Sequence, residues 1–276
     1  MPSPPVKDAD AYVLNRNFTA STRLNCQHYI WHRELGYNLH PSIPLSTTHN
    51  ARIADIATGT AAWLLDVARE HPSAQCDGFD ISLAQAPPAA WLPPNVSLHK
   101  WDFYEKPPDE ARGKYDVVHI RLVILVIGNG DLVPVLRNLA LLLKPGGWLQ
   151  WDEVDTGDAV VAHPAEEGKT EALERMAARM KAHAMGASAW VVKLPETMRE
   201  VGGFVDVELY RVKADKAYLK FYTDMHSLLW VEVASSMPVE GGKRAQFEQL
   251  VERVLEETER GAAYGVAKVV VVGRKG

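Results

Sequence analysis

The chain is 276 residues long, 47% of them hydrophobic, and it carries 30 Lys and Arg against 35 Asp and Glu for a formal net charge of -5. That length buries a full core, so a single α/β domain with a helical accessory region is expected rather than two independent domains. The acidic balance excludes nucleic acid and an anionic membrane surface as main partners, since both want basic patches, and it leaves a small molecule as the partner.

The start, Met1-Pro2-Ser3-Pro4-Pro5, lacks the charged residues and apolar core of a secretion signal, and residues 1 to 10 are polar and Pro-rich enough to be disordered. From Ser21 or Thr22 as N-cap, a helix is predicted through Leu35, ending at Gly36. Leu24, His28, Trp31 and Leu35 share one face at helical spacing, so this segment either covers a site as a lid or packs on the sheet edge. Next, the apolar run Ile53, Ala54, Ile56 passes into the small-residue turn Ala57-Thr58-Gly59-Thr60-Ala61, and Trp63, Leu64, Leu65, Val67 and Ala68 follow at helical spacing. The pattern reads strand, turn, helix. Gly59 and its small neighbours leave backbone N–H groups uncovered at the positive end of that helix, a place for a carboxylate or hydroxyls.

His71-Pro72-Ser73 stops the helix, and Gln75 to Asp80 forms a second strand. Asp80 stands at about the ~20-residue spacing of an acid that grips a ribose, with Ile81 and Ser82 directly after it. Of the three glycines in a dinucleotide fingerprint only the middle one is present, Ala57 and Ala61 holding the outer positions, so a phosphate-free nucleoside suits the turn better. Pro87, Pro88, Pro93 and Pro94 forbid a long helix after the second strand. Val96 to Lys100 is the third strand, followed by Trp101-Asp102-Phe103, in which the acid can meet an adenine amino group or act as a turn residue.

The fourth strand, Tyr115 to Ile120, puts His119 and Arg121 on one side by period-2 alternation if it continues that far. These two residues break the longest apolar run, Val117 to Ile127, which is too short to span a bilayer. Asp131 caps the next helix, and Pro145-Gly146-Gly147 turns into a fifth strand, Trp148 to Trp151. That strand ends in Asp152-Glu153-Val154-Asp155 at the ligand edge, where acids serve either a substrate or the next helix N-terminus. A charged helix spans Pro164 to about Met185, with Met176, Met180 and Met185 lining a pocket or filling core. A short helix ends at Gly202-Gly203, and a sixth strand follows around Val205 to Tyr210. The insertion from Tyr218 to Trp230, with Phe221, Tyr222, Met225, His226 and Trp230, suits a flat apolar substrate or forms a second small core. A helix from Phe247 to Arg260 and a buried strand from Ala267 to Val272 close the chain. Cys26 and Cys76 have neither redox nor metal spacing, which points to a reduced cytoplasmic compartment and no metal.

Asp55 before the glycine turn, Asp80 ending the second strand, Asp102 after the third, and Leu143-Lys144-Pro145-Gly146-Gly147 leading into the fifth together resemble the class I S-adenosylmethionine-dependent methyltransferases. The resemblance covers roughly Arg52 to Asp152. Asn17-Phe18-Thr19-Ala20-Ser21-Thr22-Arg23-Leu24-Asn25 and Gln150-Trp151-Asp152-Glu153 look like the fungal natural-product branch. The resemblance implies a three-layer α/β sandwich with a mostly parallel seven-stranded sheet whose last strand is antiparallel. Residues 1-45 would be a tail and helical lid, and 46-276 the cofactor-binding domain with a substrate-covering insertion around 160-235. It implies S-adenosylmethionine as cofactor and S-adenosylhomocysteine as product. The cofactor would sit among Asp55, Ala57, Thr58, Gly59, Asp80, Ile81, Trp101, Asp102, Phe103 and His119, with Tyr12 and Arg16 from upstream.

His119, His28 and Asp152 are the catalytic candidates. Arg121, Trp31, Glu153, Tyr222, His226 and Trp230 are the substrate-facing ones. The expected reaction is methyl transfer to a small-molecule natural-product acceptor, O-transfer ahead of N-transfer, since a phenol or hydroxamate gains from a base such as His119, His28 or His226. Two alternatives stay open: a catalyst that uses the sulfonium charge for a pericyclic or dehydrating step without methyl transfer, and a regulatory protein that retains the fold. Ala61, which narrows the turn, keeps the latter open. Oligomeric state is also open, a homodimer included.

Overall fold

The structure is a computed structural model and describes residues 14–45, 50–127, 131–165, 168–186 and 189–276. Tyr12 and the Pro-rich start lie outside the described residues. Seven strands among them form one sheet in the order β3-β2-β1-β4-β5-β7-β6. They are β1 (Arg52–Ile56), β2 (Gln75–Asp80), β3 (Val96–Lys100), β4 (Tyr115–Arg121), β5 (Leu143–Ala162), β6 (Phe204–Val212) and β7 (Ala263–Lys275). β1 to β5 pair in parallel, and β7 runs antiparallel between β5 and β6. The central strands β1 and β4 are buried on both faces, as near-continuous apolar runs in a parallel sheet require. The chain winds from β1 to one side and then returns to β4 on the other. The crevice at their carboxyl ends is therefore the switch point where open α/β sheets bind ligands.

Helix α1 (Phe18–Leu35) precedes the sheet. Its cap is Asn17 rather than Ser21 or Thr22: the Asn17 side chain accepts the Ala20 N–H at 2.9 Å. The Ser21 and Thr22 hydroxyls instead donate back one turn to Asn17 O and Phe18 O, the usual fate of hydroxyls inside a helix. Gly36 stops it in the left-handed conformation, φ 79°. Ion pairs bind α1 to β7 and to α7 (Leu219–Ser236). Glu34 pairs with Lys268 of β7 in the buried interior, and Arg23 meets Glu232 of α7 at 3.3 Å.

After β1 come α2 (Ala62–Glu70), then α3 (Ile124–Ile127), α4 (Leu132–Leu142), α5 (Glu171–Met185), α6 (Trp190–Gly202), α7 and α8 (Lys243–Glu259). Asp131 does cap α4, accepting the Val133 N–H at 2.9 Å. The largest departure from expectation is β5. It does not end at Trp151 but runs 20 residues, because β7 pairs with it from Trp148↔Arg274 to Ala162↔Ala263. The partner strand supplies backbone hydrogen bonds well past the acidic stretch, so Asp152 and Glu153 lie inside a strand, each 1% exposed, rather than in a loop. α5 begins at Glu171, later than Pro164, and Met185 at its end points to solvent.

Candidate functional site

The loop from β1 to α2 is built from three left-handed residues: Ala57 (φ 56°), Gly59 (φ 56°) and Ala61 (φ 61°). Only glycine adopts that conformation freely, so the two alanines hold strain that the surroundings must fix. Asp55 Oδ2 accepts the Thr58 hydroxyl at 2.6 Å, and Thr58 N–H donates to Phe79 O at 3.1 Å. Asp80 closes the loop from the next strand. Its Oδ2 accepts the Gly59 N–H at 2.9 Å and its Oδ1 the Ser82 N–H at 3.0 Å. Each oxygen keeps a second lone pair for a ligand. Burial pushes the Asp80 carboxyl up, against the Ser82 and Gly59 N–H groups and the charge of Arg16.

A cavity of about 560 Å³ opens over these strand ends. Asp55, Ala57, Thr58, Gly59, Asp80, Ile81, Trp101, Asp102, Phe103 and Arg16 line it, together with His28, His119, Arg121, His226 and Trp230. The strand order puts Asp102 and Asp80, after β3 and β2, toward one side and the helices packed on β5 and β7 toward the other. Four residues expected at the site do not line the cavity. Asp152 is buried within β5, where it accepts from Gln150 Nε2 at 3.1 Å. Glu153 accepts the Val123 N–H at 2.9 Å. Trp31 lies on the buried face of α1, its ring centre 5.4 Å from Lys268 Nζ, and the Tyr222 ring packs against the same ammonium at 5.1 Å.

The cavity also takes in Gln27, Val154, Thr156, Arg179, Val233 and Phe247, none of which stood out in the sequence. The apolar stripes of α5 and α8 were the available signal, and Met176 and Met180 do line the wall.

Three histidines face this space, and their environments differ. His119 is fully buried, its ring stacked on Trp63 with centroids 3.7 Å apart. Its Nδ1 lies 2.7 Å from Asp55 Oδ1, and its Nε2 lies 3.5 Å from Asp152 Oδ2. Burial works against a charged ring, but the acids Asp152 and Asp55 on either side outweigh it, and the pKa is raised. His28 is lowered by burial and by Arg121, against the pull of Asp66, and both its nitrogens are engaged. His226 is pushed down to about 3 by burial, with Arg23 and Lys268 adding to it.

The residues present fit a nucleoside with a positively charged tail. Asp80 and Asp102 can accept from hydroxyls and an amino group, and Trp101 and Phe103 supply aromatic faces. Trp101 Nε1, Thr156 Oγ1 and His226 Nδ1 are buried without a hydrogen-bond partner in this wall, a desolvation cost of roughly 1–3 kcal/mol each that a ligand relieves. Among the described residues no helix is long and apolar enough to cross a membrane.

A family model described as a methyltransferase domain matches residues 54–149. The chain is 40% identical over 157 residues to methyltransferase grgD of a Penicillium species, covering 52% of this chain and 52% of that protein. It therefore spans about half the length of that relative. It is 30% identical over 204 residues to N-methyltransferase tcpN of Claviceps purpurea, covering 70% and 69%. The fold is shared with Haemonchus contortus phosphoethanolamine N-methyltransferase 2, solved with phosphomonomethylethanolamine and S-adenosylhomocysteine. The TM-score is 0.52 at 15% identity, over 98% of this chain and 61% of that one. With a sheet of this order, a nucleoside-fitting turn, and a Claviceps relative matched over more than two thirds of its length, the chain belongs to the class I S-adenosylmethionine-dependent methyltransferases, in a branch with fungal secondary-metabolite methyltransferases.

Proposed function

We propose that this chain methylates an oxygen of a small, largely apolar natural-product acceptor, with S-adenosylmethionine as donor. The observation that carries this reading is one continuous cavity lined by carboxylates on one side and by Met176, Met180, Trp230, Val233 and Phe247 on the other. When bound, the cofactor supplies a methyl group already activated on a sulfonium, so the protein need not build an electrophile. Asp80 takes the ribose hydroxyls, Asp102 the adenine amino group, and the turn from Ala57 to Ala61 the amino-acid tail. α1, held by Arg23–Glu232 and Glu34–Lys268, acts as a lid within residues 1-45, and the segment around 160-235 covers the acceptor.

None of the three histidines suits the role of general base near neutral pH. His119 is flanked by acids that favour its charged form, His28 has no free nitrogen, and His226, pushed down to about 3, is too weak a base. An acceptor that arrives ionised, or as a free amine, needs no proton removed. What the site contributes is alignment, an effect worth up to ~7 to 11 kcal/mol. A second reading, N-transfer, is favoured by the name of the Claviceps relative, an N-methyltransferase.

The test is incubation of the protein with S-adenosylmethionine and a panel of phenols, hydroxamates and amines, read by mass spectrometry. Methylated product in equal amount to S-adenosylhomocysteine supports the reading, and the product's structure separates O from N. An isomerised, unmethylated product overturns it in favour of sulfonium-steered catalysis, and tight cofactor binding with no turnover overturns it in favour of a regulatory role.

A further inference from the structure

Arg121 ends β4, and its largely buried guanidinium lines the cavity. Among the described residues it makes no ion pair with a carboxylate. Its side-chain hydrogen bond runs from Nη2 to His28 Nδ1 at 3.2 Å, and its Cζ stands 5.6 Å from the centre of the Trp31 ring. A guanidinium can only donate, so Nδ1 of His28 is the accepting nitrogen and the proton sits on Nε2. That nitrogen lies 3.0 Å from Asp66 Oδ2. The relay Asp66–His28–Arg121 therefore orients the guanidinium while engaging only one of its five N–H groups.

The backbone at Arg121 is fixed as well. The next residue, Leu122, is left-handed at φ 57°, a conformation kept only where neighbours over-determine it. Its N–H donates to Asp152 O at 3.0 Å, and the Val123 N–H donates to Glu153 Oε1 at 2.9 Å. Burial lowers the Arg121 pKa, countered by the charges of Asp152 and Asp55. A desolvated cation whose donors face a cavity is costly unless an anion joins it. The methyl donor brings a second positive charge into the same space, so a protonated amine is disfavoured there and an anionic group is complementary.

We propose that Arg121 selects the acceptor by pairing with an ionised oxygen on an aromatic molecule whose ring lies toward Met176, Met180 and Trp230. His28 and Asp66 are positioning residues that hold the guanidinium in place. This rests on the methyltransferase reading above and names the acceptor class for the same site.

The probes are three naphthalenes of one shape and different charge: 2-naphthoate, 2-naphthamide and 2-naphthylmethylammonium. Each is titrated into protein saturated with S-adenosylhomocysteine, with tryptophan fluorescence as readout. Wild type should bind 2-naphthoate at least about tenfold tighter than the amide, the discrimination expected of a charge-assisted pair, and the ammonium most weakly. Arg121→Met should bring naphthoate and amide to within about threefold while S-adenosylhomocysteine affinity is unchanged. Arg121→Lys, which keeps the charge without the fork, should retain part of the preference, as should His28→Phe and Asp66→Asn.

A wild type without preference for the carboxylate overturns the proposal and leaves the methyltransferase reading standing. If Arg121→Met and Arg121→Lys weaken S-adenosylhomocysteine binding and leave naphthoate selectivity intact, Arg121 serves the cofactor's own carboxylate and the proposal fails. Absence of S-adenosylhomocysteine binding by wild type sinks the underlying reading itself.

Discussion

Asp55 and His119 are direct neighbours across the parallel strands β1 and β4, and their side chains meet at 2.7 Å, Oδ1 to Nδ1, under the cavity floor. The second oxygen of Asp55 holds the Thr58 hydroxyl at 2.6 Å, so one carboxylate ties the charge of a buried imidazole to the shape of the left-handed turn. Asp55→Asn removes a charge that favours imidazolium. The His119 titration should move to lower pH, followed by NMR of ring-labelled histidine. S-adenosylhomocysteine affinity should fall about tenfold as the turn loosens, measured by calorimetry. An unmoved titration would mean that Asp152 alone sets the charge.

Asp80 joins the second strand to the turn through the Gly59 and Ser82 N–H groups. Asp80→Ala takes away both acceptors and the expected ribose partner. The dissociation constant for S-adenosylhomocysteine should rise at least about tenfold, or ~1.4 kcal/mol. Asp80→Asn, which keeps one acceptor, should fall between the two. Equal affinity in all three proteins would remove Asp80 from the cofactor site.

Gly78 sits beneath the turn with no space for a side chain. A Cβ there would stand 2.6 Å from Leu98 Cδ2, 2.9 Å from Leu64 Cδ2 and 3.1 Å from Thr58 Cγ2. Gly78→Ala should lose roughly 1–3 kcal/mol by overpacking and lower the melting temperature. Because one of the displaced groups is Thr58, cofactor affinity should drop in the same variant. Gly36→Ala, where a Cβ meets nothing within 4 Å and only the left-handed φ is strained, should leave cofactor affinity alone.

Glu153 is buried, and its carboxyl is pushed up to about 8, burial outweighing the hydrogen bonds from Trp151, Val123 and Val154. A carboxyl that holds its proton in the fold stabilises it most below the unfolded-state value, and that contribution is lost as pH rises through about 8. Glu153→Gln keeps an acceptor for Val123 and cannot ionise. Its stability relative to wild type should rise between about pH 4.5 and 8, by on the order of 5 kcal/mol, and flatten above. Thermal melts across that range check it. A constant offset would place the ionised form comfortably in the fold.

The cavity wall formed by the turn after β1 and the neighbouring strand ends was legible because it is local. Strand, turn and helix from Arg52 to Glu70 follow one another without interruption, Asp80 ends β2, and Asp102 stands just after β3. Periodicity and turn chemistry act over a few residues, so the sequence alone determined the parallel core, the glycine turn and the acids at the strand ends that line the cavity.

The rest of the site was decided by tertiary structure. The relay at Arg121 joins residues 93 and 38 positions apart, and no local pattern announces it. Asp152 and Glu153 looked like loop acids until β7, arriving more than a hundred residues later, extended β5 past them and made them buried strand residues. His226 becomes a neutral group only because burial near Arg23 and Lys268 strips its ring of water. Charge state and pairing depend on what surrounds a side chain in space, and that is settled when distant strands and helices close over one cavity.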